Sequence, residues 1–96
     1  MSAITLPARY DDMSWQERRE VRLAYVQSQG GQCHHCKAAL DGDPPQEIMR
    51  KRINWRLFPA NFLKHPVHLH HSHDTGLTIG AVHARCNAVL WQYHGE

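Results

Sequence analysis

The stretch VHLHHSHDTGLTIGAVHARCNAVLWQYHG, residues 67–95, decides the fold. Val67 to His71 alternates apolar and polar side chains, the period of a half-buried strand. Ser72-His73-Asp74-Thr75-Gly76 has turn composition. Leu77 to Val82 is rich in β-formers and predicts a returning strand, with Gly80 a possible bend or bulge. From Ala84 the pattern changes period. Cys86, Val89, Leu90 and Tyr93 fall at i, i+3, i+4 and i+7, one face of a helix, and Gly95 supplies its stop. The C-terminal third therefore reads strand, turn, strand, helix.

Working back toward the N-terminus, residues 46–64 are ambiguous. Gln46 to Arg52 could form a short helix, and Pro59 and Pro66 break the segment between it and the hairpin. Asp41 to Pro45 reads as a loop. Ser14-Trp15-Gln16-Glu17 has the form of a capping box, and the residues from there to Gln29 predict a helix stopped by Gly30-Gly31. Val21, Ala24 and Tyr25 could share its buried face. Residues 1–13 read as irregular. The expectation is a single α+β domain over residues 1–96.

A chain of 96 residues buries a thin core and commonly needs a metal or disulfides to hold it. Three cysteines cannot pair completely, and nine histidines accompany them, which points to metal ligation. Two pairs have the spacing that lets one turn present two ligands: Cys33-x-x-Cys36, just after the glycines, and His83-x-x-Cys86, at the start of the last helix. Together they offer the four thiolate and imidazole ligands of a structural zinc, which would staple the two ends of the domain. A cysteine is the more usual ligand at the position of His83. His34 and His35 are alternatives within the knuckle turn.

The formal net charge is only +2, so total charge does not argue for a polyanionic partner. Its placement says more. Seven of the eleven basic residues fall in two groups, Arg18, Arg19, Arg22 and Arg50, Lys51, Arg52, Arg56, either a solvated face or a phosphate-binding surface. The first residues lack the basic and apolar regions of a secretory signal, and no apolar run is long enough to span a bilayer. A reducing cytoplasm is the expected compartment.

His68, His70, His71 and His73 crowd six residues. An imidazole can ligate a metal or act as a general base near neutral pH. Strand neighbours point to opposite sides, so His70 and His71 can divide those two roles only near the strand end, one facing the last helix and the other a cleft. On that helix Asn87 lies about 100° around from Cys86. If Cys86 points at zinc, Asn87 can point toward the hairpin.

The order His-Leu-His-His-Ser-His-Asp-Thr-Gly at 68–76, then Gly80-Ala-Val-His-Ala-Arg-Cys-Asn87, with Cys33-x-x-Cys36 upstream, resembles the HNH motif of phage recombination endonuclease VII and its small relatives. The resemblance covers residues 33–36 and 67–94. It implies a ββα-metal (His-Me finger) unit, a structural zinc held by Cys33, Cys36, His83 and Cys86, and divalent-metal cleavage of DNA. By position, His71 would be the general base, and His70 and Asn87 the ligands of the catalytic metal. His73 would contact phosphate or leaving group. The family's aspartate is replaced by His70, which weakens the site for Mg²⁺ and favours Mn²⁺, Ni²⁺ or Zn²⁺. Nucleases of the colicin type use a comparable histidine pair. The expected function is a metal-dependent DNA endonuclease or nickase, phage-encoded, with Arg50, Lys51, Arg52 and Arg56 holding the backbone around Trp55. The alternative is a non-catalytic zinc module that binds nucleic acid or protein. Junction cutting would be a refinement of the first reading, and oligomeric state is left open.

Overall fold

The computed structural model describes residues 5–95, so the reading of residues 1–4 as irregular lies outside the described residues. The elements are α1 (Trp15–Ser28), α2 (Gln46–Met49), β1 (Val67–His71), β2 (Thr78–His83) and α3 (Ala84–His94), with single 3-10 turns at Tyr10–Asp12 and Trp55–Leu57. The fold is α+β. The antiparallel hairpin β1–β2 runs directly into α3, with α1 and α3 both packed on it.

Local chemistry sets the element ends. Ser14 caps α1 by accepting from the Glu17 amide, while the Glu17 carboxylate accepts from the Ser14 amide, the reciprocal capping box the sequence predicts. Gly95 closes α3 in the left-handed conformation, φ 72°, where a side chain would be strained. In the hairpin turn, the Ser72 hydroxyl accepts from the amides of Asp74 and Thr75.

The core is built from Val21 and Tyr25 of α1, Cys33, Leu40, Ile48, Leu69, Ala81, Val82, and Cys86, Val89 and Leu90 of α3. Two expected helix faces need correction. Tyr93 is 47% exposed and its hydroxyl donates to the Arg52 carbonyl, while α3 buries Ala84, Cys86, Ala88, Val89 and Leu90. On α1, Val21 and Tyr25 are buried but Ala24 is only half-buried.

The hairpin register steps from His70↔Gly80 to His71↔Thr78, leaving Ile79 as the extra residue of a bulge on β2. Gly80 is therefore beside the bulge, and its own role is close approach. A Cβ there would fall 2.8 Å from His34 Cγ and 2.9 Å from Gln29 Oε1. That space lets Gln29, at the end of α1, bond Ala81 in both directions. Its Nε2 donates to the Ala81 carbonyl, and its Oε1 accepts from the Ala81 amide, each at 2.9 Å.

The segment before α1 is not irregular throughout. The Thr78 amide donates to the Ala8 carbonyl, the Ala8 amide donates to Thr78 Oγ1, and the Tyr10 amide donates to the Gly76 carbonyl. Arg9 pairs with Leu77 in an isolated bridge. These bonds bring Tyr10 onto the hairpin end.

Candidate metal centre and histidine cleft

Cys33, Cys36, His83 and Cys86 converge, with one ligand atom of each lying within 4.8 Å of all the others. The edge of a tetrahedral zinc–thiolate site is about 3.8 Å, from Zn–S bonds of about 2.3 Å. Cys36 Sγ and Cys86 Sγ stand 3.4 and 3.6 Å from His83 Nδ1. His83 Nε2 donates to the Ala39 carbonyl at 2.8 Å, which leaves Nδ1 as the nitrogen lone pair facing the sulfurs. The histidine in the place of the usual cysteine is thus held in the tautomer that ligation requires.

The first pair sits on a knuckle. The Cys36 amide points at Cys33 Sγ, 3.5 Å away, and the Lys37 amide donates to the Cys33 carbonyl. Lys37 takes φ 68°, a conformation most non-glycine residues avoid. Its ammonium donates to the His34 carbonyl, which helps hold the turn closed. His34 and His35 are outside the ligand cluster. His34 packs over Gly80 instead.

The thiols are electrostatically crowded. A hydrogen bond shared with Cys86 pulls the Cys33 thiol well below its ordinary value, and the same bond pushes Cys86 up. Burial raises Cys36. Three sulfurs and an imidazole with this arrangement fit a cation that can take all of them as donors. Cys33, Cys86 and His83 are buried, so the centre ties the knuckle to the start of α3 inside the core.

Beyond the metal centre, β1 points His68 and His70 toward α3. Asn87 Nδ2 is 3.2 Å from His68 Nδ1 and donates to it when the ring is protonated on Nε2. Burial holds His68 below its ordinary value, in keeping with that neutral ring. The Asn87 amide is thereby oriented, with its carbonyl oxygen the atom it can offer a cation. The sequence carries no signal for this role of His68 beyond its alternation with His70 along the strand.

His70 is buried, 2% exposed, and lines a cavity of about 250 Å³ with Leu57, Phe58, Phe62, His71, His73, Asn87 and Trp91. His70 and His71 both line this cavity, and the His71 ring also opens on the N-terminal segment, where it stacks on Tyr10. The His71 and His73 rings are 5.0 Å apart. Burial first, then the neighbouring His73, lowers the His71 pKa, which favours the neutral imidazole. Among the described residues no second cluster of three or more Cys, His, Asp or Glu ligands accompanies the metal centre.

A larger open cleft, about 800 Å³, adjoins this cavity. Its floor includes His68, His71 and Asn87, and its wall carries Arg18, Arg19, Arg22 and Trp15 of α1. Among the described residues no acidic side chain lines it. The second basic group is placed differently. Arg50, Lys51, Arg52 and Arg56 line neither cavity. Their segment is docked on α3: the Arg52 carbonyl accepts from Gln92 and Tyr93, and the Arg85 guanidinium donates to the carbonyls of Met49 and Lys51. The sequence showed two basic groups but not which one the chain folds against the histidines.

No family model, no curated protein and no solved structure matches this chain. Among the described residues no helix is long and apolar enough to cross a membrane.

Proposed function

We propose that the chain is an HNH-type, metal-dependent endonuclease or nickase of DNA, with a ββα-metal unit over residues 67–94. The observation that carries this reading is that His70, His71 and Asn87 line one cavity at the junction of hairpin and helix. The arginine-walled cleft opens beside it. Cys33, Cys36, His83 and Cys86 hold a structural zinc whose role is to fix α3 against the knuckle.

His71 accepts a proton from the attacking water, and its lowered pKa keeps the ring neutral for that task. His70 Nδ1 or Nε2 and Asn87 Oδ1 hold the catalytic divalent metal, here Mn²⁺, Ni²⁺, Zn²⁺ or Mg²⁺. When bound, that ion supplies charge stabilisation at the phosphate oxygens. His68 orients the Asn87 amide. His73, exposed at the hairpin turn, contacts phosphate or the leaving group. Arg18, Arg19 and Arg22 attract the backbone, and Arg50, Lys51, Arg52 and Arg56 extend that attraction along the segment docked on α3.

A second reading has its own observation. Among the described residues the one cluster of three or more Cys, His, Asp or Glu ligands is Cys33, Cys36, His83 and Cys86, all that a zinc module binding nucleic acid without cutting it would need.

Plasmid cleavage across divalent metals separates the two. On the nuclease reading His71→Ala lowers the rate by about 10²–10⁴-fold with the fold retained. His70→Asp moves the preference toward Mg²⁺, because it returns a carboxylate oxygen. A parent protein that cuts under no metal leaves the zinc-module reading, whereas a His71→Ala variant that cuts at the parent rate removes His71 as the base.

A further inference from the structure

The cavity of about 250 Å³ beside His70 and Asn87 has a lining that cleavage of a phosphodiester does not require. One side is aromatic. The Phe58 ring centroid is 4.6 Å from that of Phe62 and 5.7 Å from that of Trp91, the latter pair edge to face. Trp91 is 43% exposed and Leu57 48% exposed, so apolar surface faces solvent at its mouth. The other side is polar, with imidazoles and the Asn87 amide. The volume is below that of ordinary drug-sized sites, which suits a single small ring system.

Phe62, His71 and Asn87 line both this cavity and the arginine-walled cleft. The two spaces therefore meet at His71 and Asn87, with cations on one side and flat rings on the other. A nucleotide divides its chemistry in the same way. Its phosphate is anionic, its base has two apolar faces, and the base edge carries donors and acceptors.

We propose that Phe58, Phe62 and Trp91 form a subsite for one unpaired nucleobase, so that the strand bound along α1 is single-stranded or locally unpaired. The base stacks on Trp91 within this aromatic wall, and the adjoining phosphate lies toward Arg18, Arg19 and Arg22. A base held in a duplex stack cannot enter such a cavity without being extruded, which costs unstacking energy. This deepens the nuclease reading and rests on it only for where the cut bond lies.

The test uses zinc-loaded protein without added divalent metal, so that binding is read without cutting. Fluorescence anisotropy compares a labelled short oligothymidylate with an abasic oligonucleotide of equal length and equal phosphate count. Stacking of one base predicts at least about fivefold tighter binding of the oligothymidylate. Trp91→Leu should bring its affinity down toward the abasic value and leave abasic binding unchanged, while Trp91→Phe retains most of the preference. Equal affinity of the parent for the two oligonucleotides overturns the subsite, and that comparison needs no variant to fold. A dimer in solution that Trp91→Leu dissociates also overturns it, because a second copy would then cover the rings. Cutting assays with Mn²⁺ keep the two readings apart. Base-dependent binding without cutting leaves the subsite and removes the nuclease. Cutting without base dependence does the reverse.

Discussion

The ring of Tyr10 lies parallel to the imidazole of His71, with centroids 3.7 Å apart and planes within 8°. The Arg18 guanidinium sits 3.9 Å from the same phenol centroid, and its Nε donates to the Tyr10 carbonyl. Two groups that close to one ring occupy opposite faces, so Tyr10 is clamped between α1 and the hairpin. The wall of the cleft is thereby coupled to the orientation of the proposed base.

Tyr10→Leu should consequently act on rate more than on folding. Loss of the stacked pair removes about 0.5–1.5 kcal/mol of stability, a small fall in melting temperature. Cleavage should drop roughly tenfold, as the imidazole gains freedom, while Tyr10→Phe restores it. Equal cleavage by Tyr10→Leu and parent would show that the stack holds the chain without orienting His71.

Acid pH should switch cleavage off later than an ordinary histidine would. Burial, then His73, holds the His71 pKa below its ordinary 6.5. A general base works when neutral, so the acid limb of the rate profile should lie below that pH. His73→Gln removes a like charge and should move the limb upward. A limb above 6.5 in the parent, or no movement in the variant, would contradict this arrangement.

The two basic groups should separate in binding. Arg19→Ala with Arg22→Ala should weaken DNA binding and lower its salt dependence, the slope falling by about one for each phosphate no longer neutralised. Arg50→Ala with Arg52→Ala should weaken it less, since that segment lies outside the cleft. The measurement is affinity against salt concentration for both double variants. A larger effect at Arg50 and Arg52 would relocate the nucleic-acid path to the α3 side.

Removing the metal should cost the fold. Structural zinc in small domains contributes on the order of 10 kcal/mol of apparent binding free energy, comparable to the whole stability of a domain this size. Chelation, or Cys86→Ser, should therefore abolish the near-ultraviolet circular dichroism and most helical signal, and metal analysis of the parent should give one zinc per chain. A fully helical, metal-free protein would show that the four residues are only a buried cluster.

Much of this was legible in one dimension because its physics is local. The capping box at Ser14 and Glu17, the turn at Ser72 to Gly76, the hairpin alternation and the stop at Gly95 each depend on neighbours a few residues apart. The x-x spacing of Cys33 and Cys36, and of His83 and Cys86, displayed both halves of the metal centre. The left-handed Lys37 carried no such signal, since lysine rarely adopts that conformation.

The residues themselves determined the order of elements in the C-terminal third, the four side chains that could hold a metal and those that can do acid–base chemistry, because periodicity and donor type are properties of the chain. Only the tertiary structure decided what faces them. That Arg18, Arg19 and Arg22 wall the cleft while Arg50 to Arg56 do not depends on how α1 crosses the hairpin. The pairing of His68 with Asn87, 19 positions apart, depends on the angle between β1 and α3. The stack of Tyr10 on His71 depends on backbone bonds from Ala8 and Tyr10 to Thr78 and Gly76. Such contacts join segments whose sequences carry no record of each other, and packing of the shared core is what selects them.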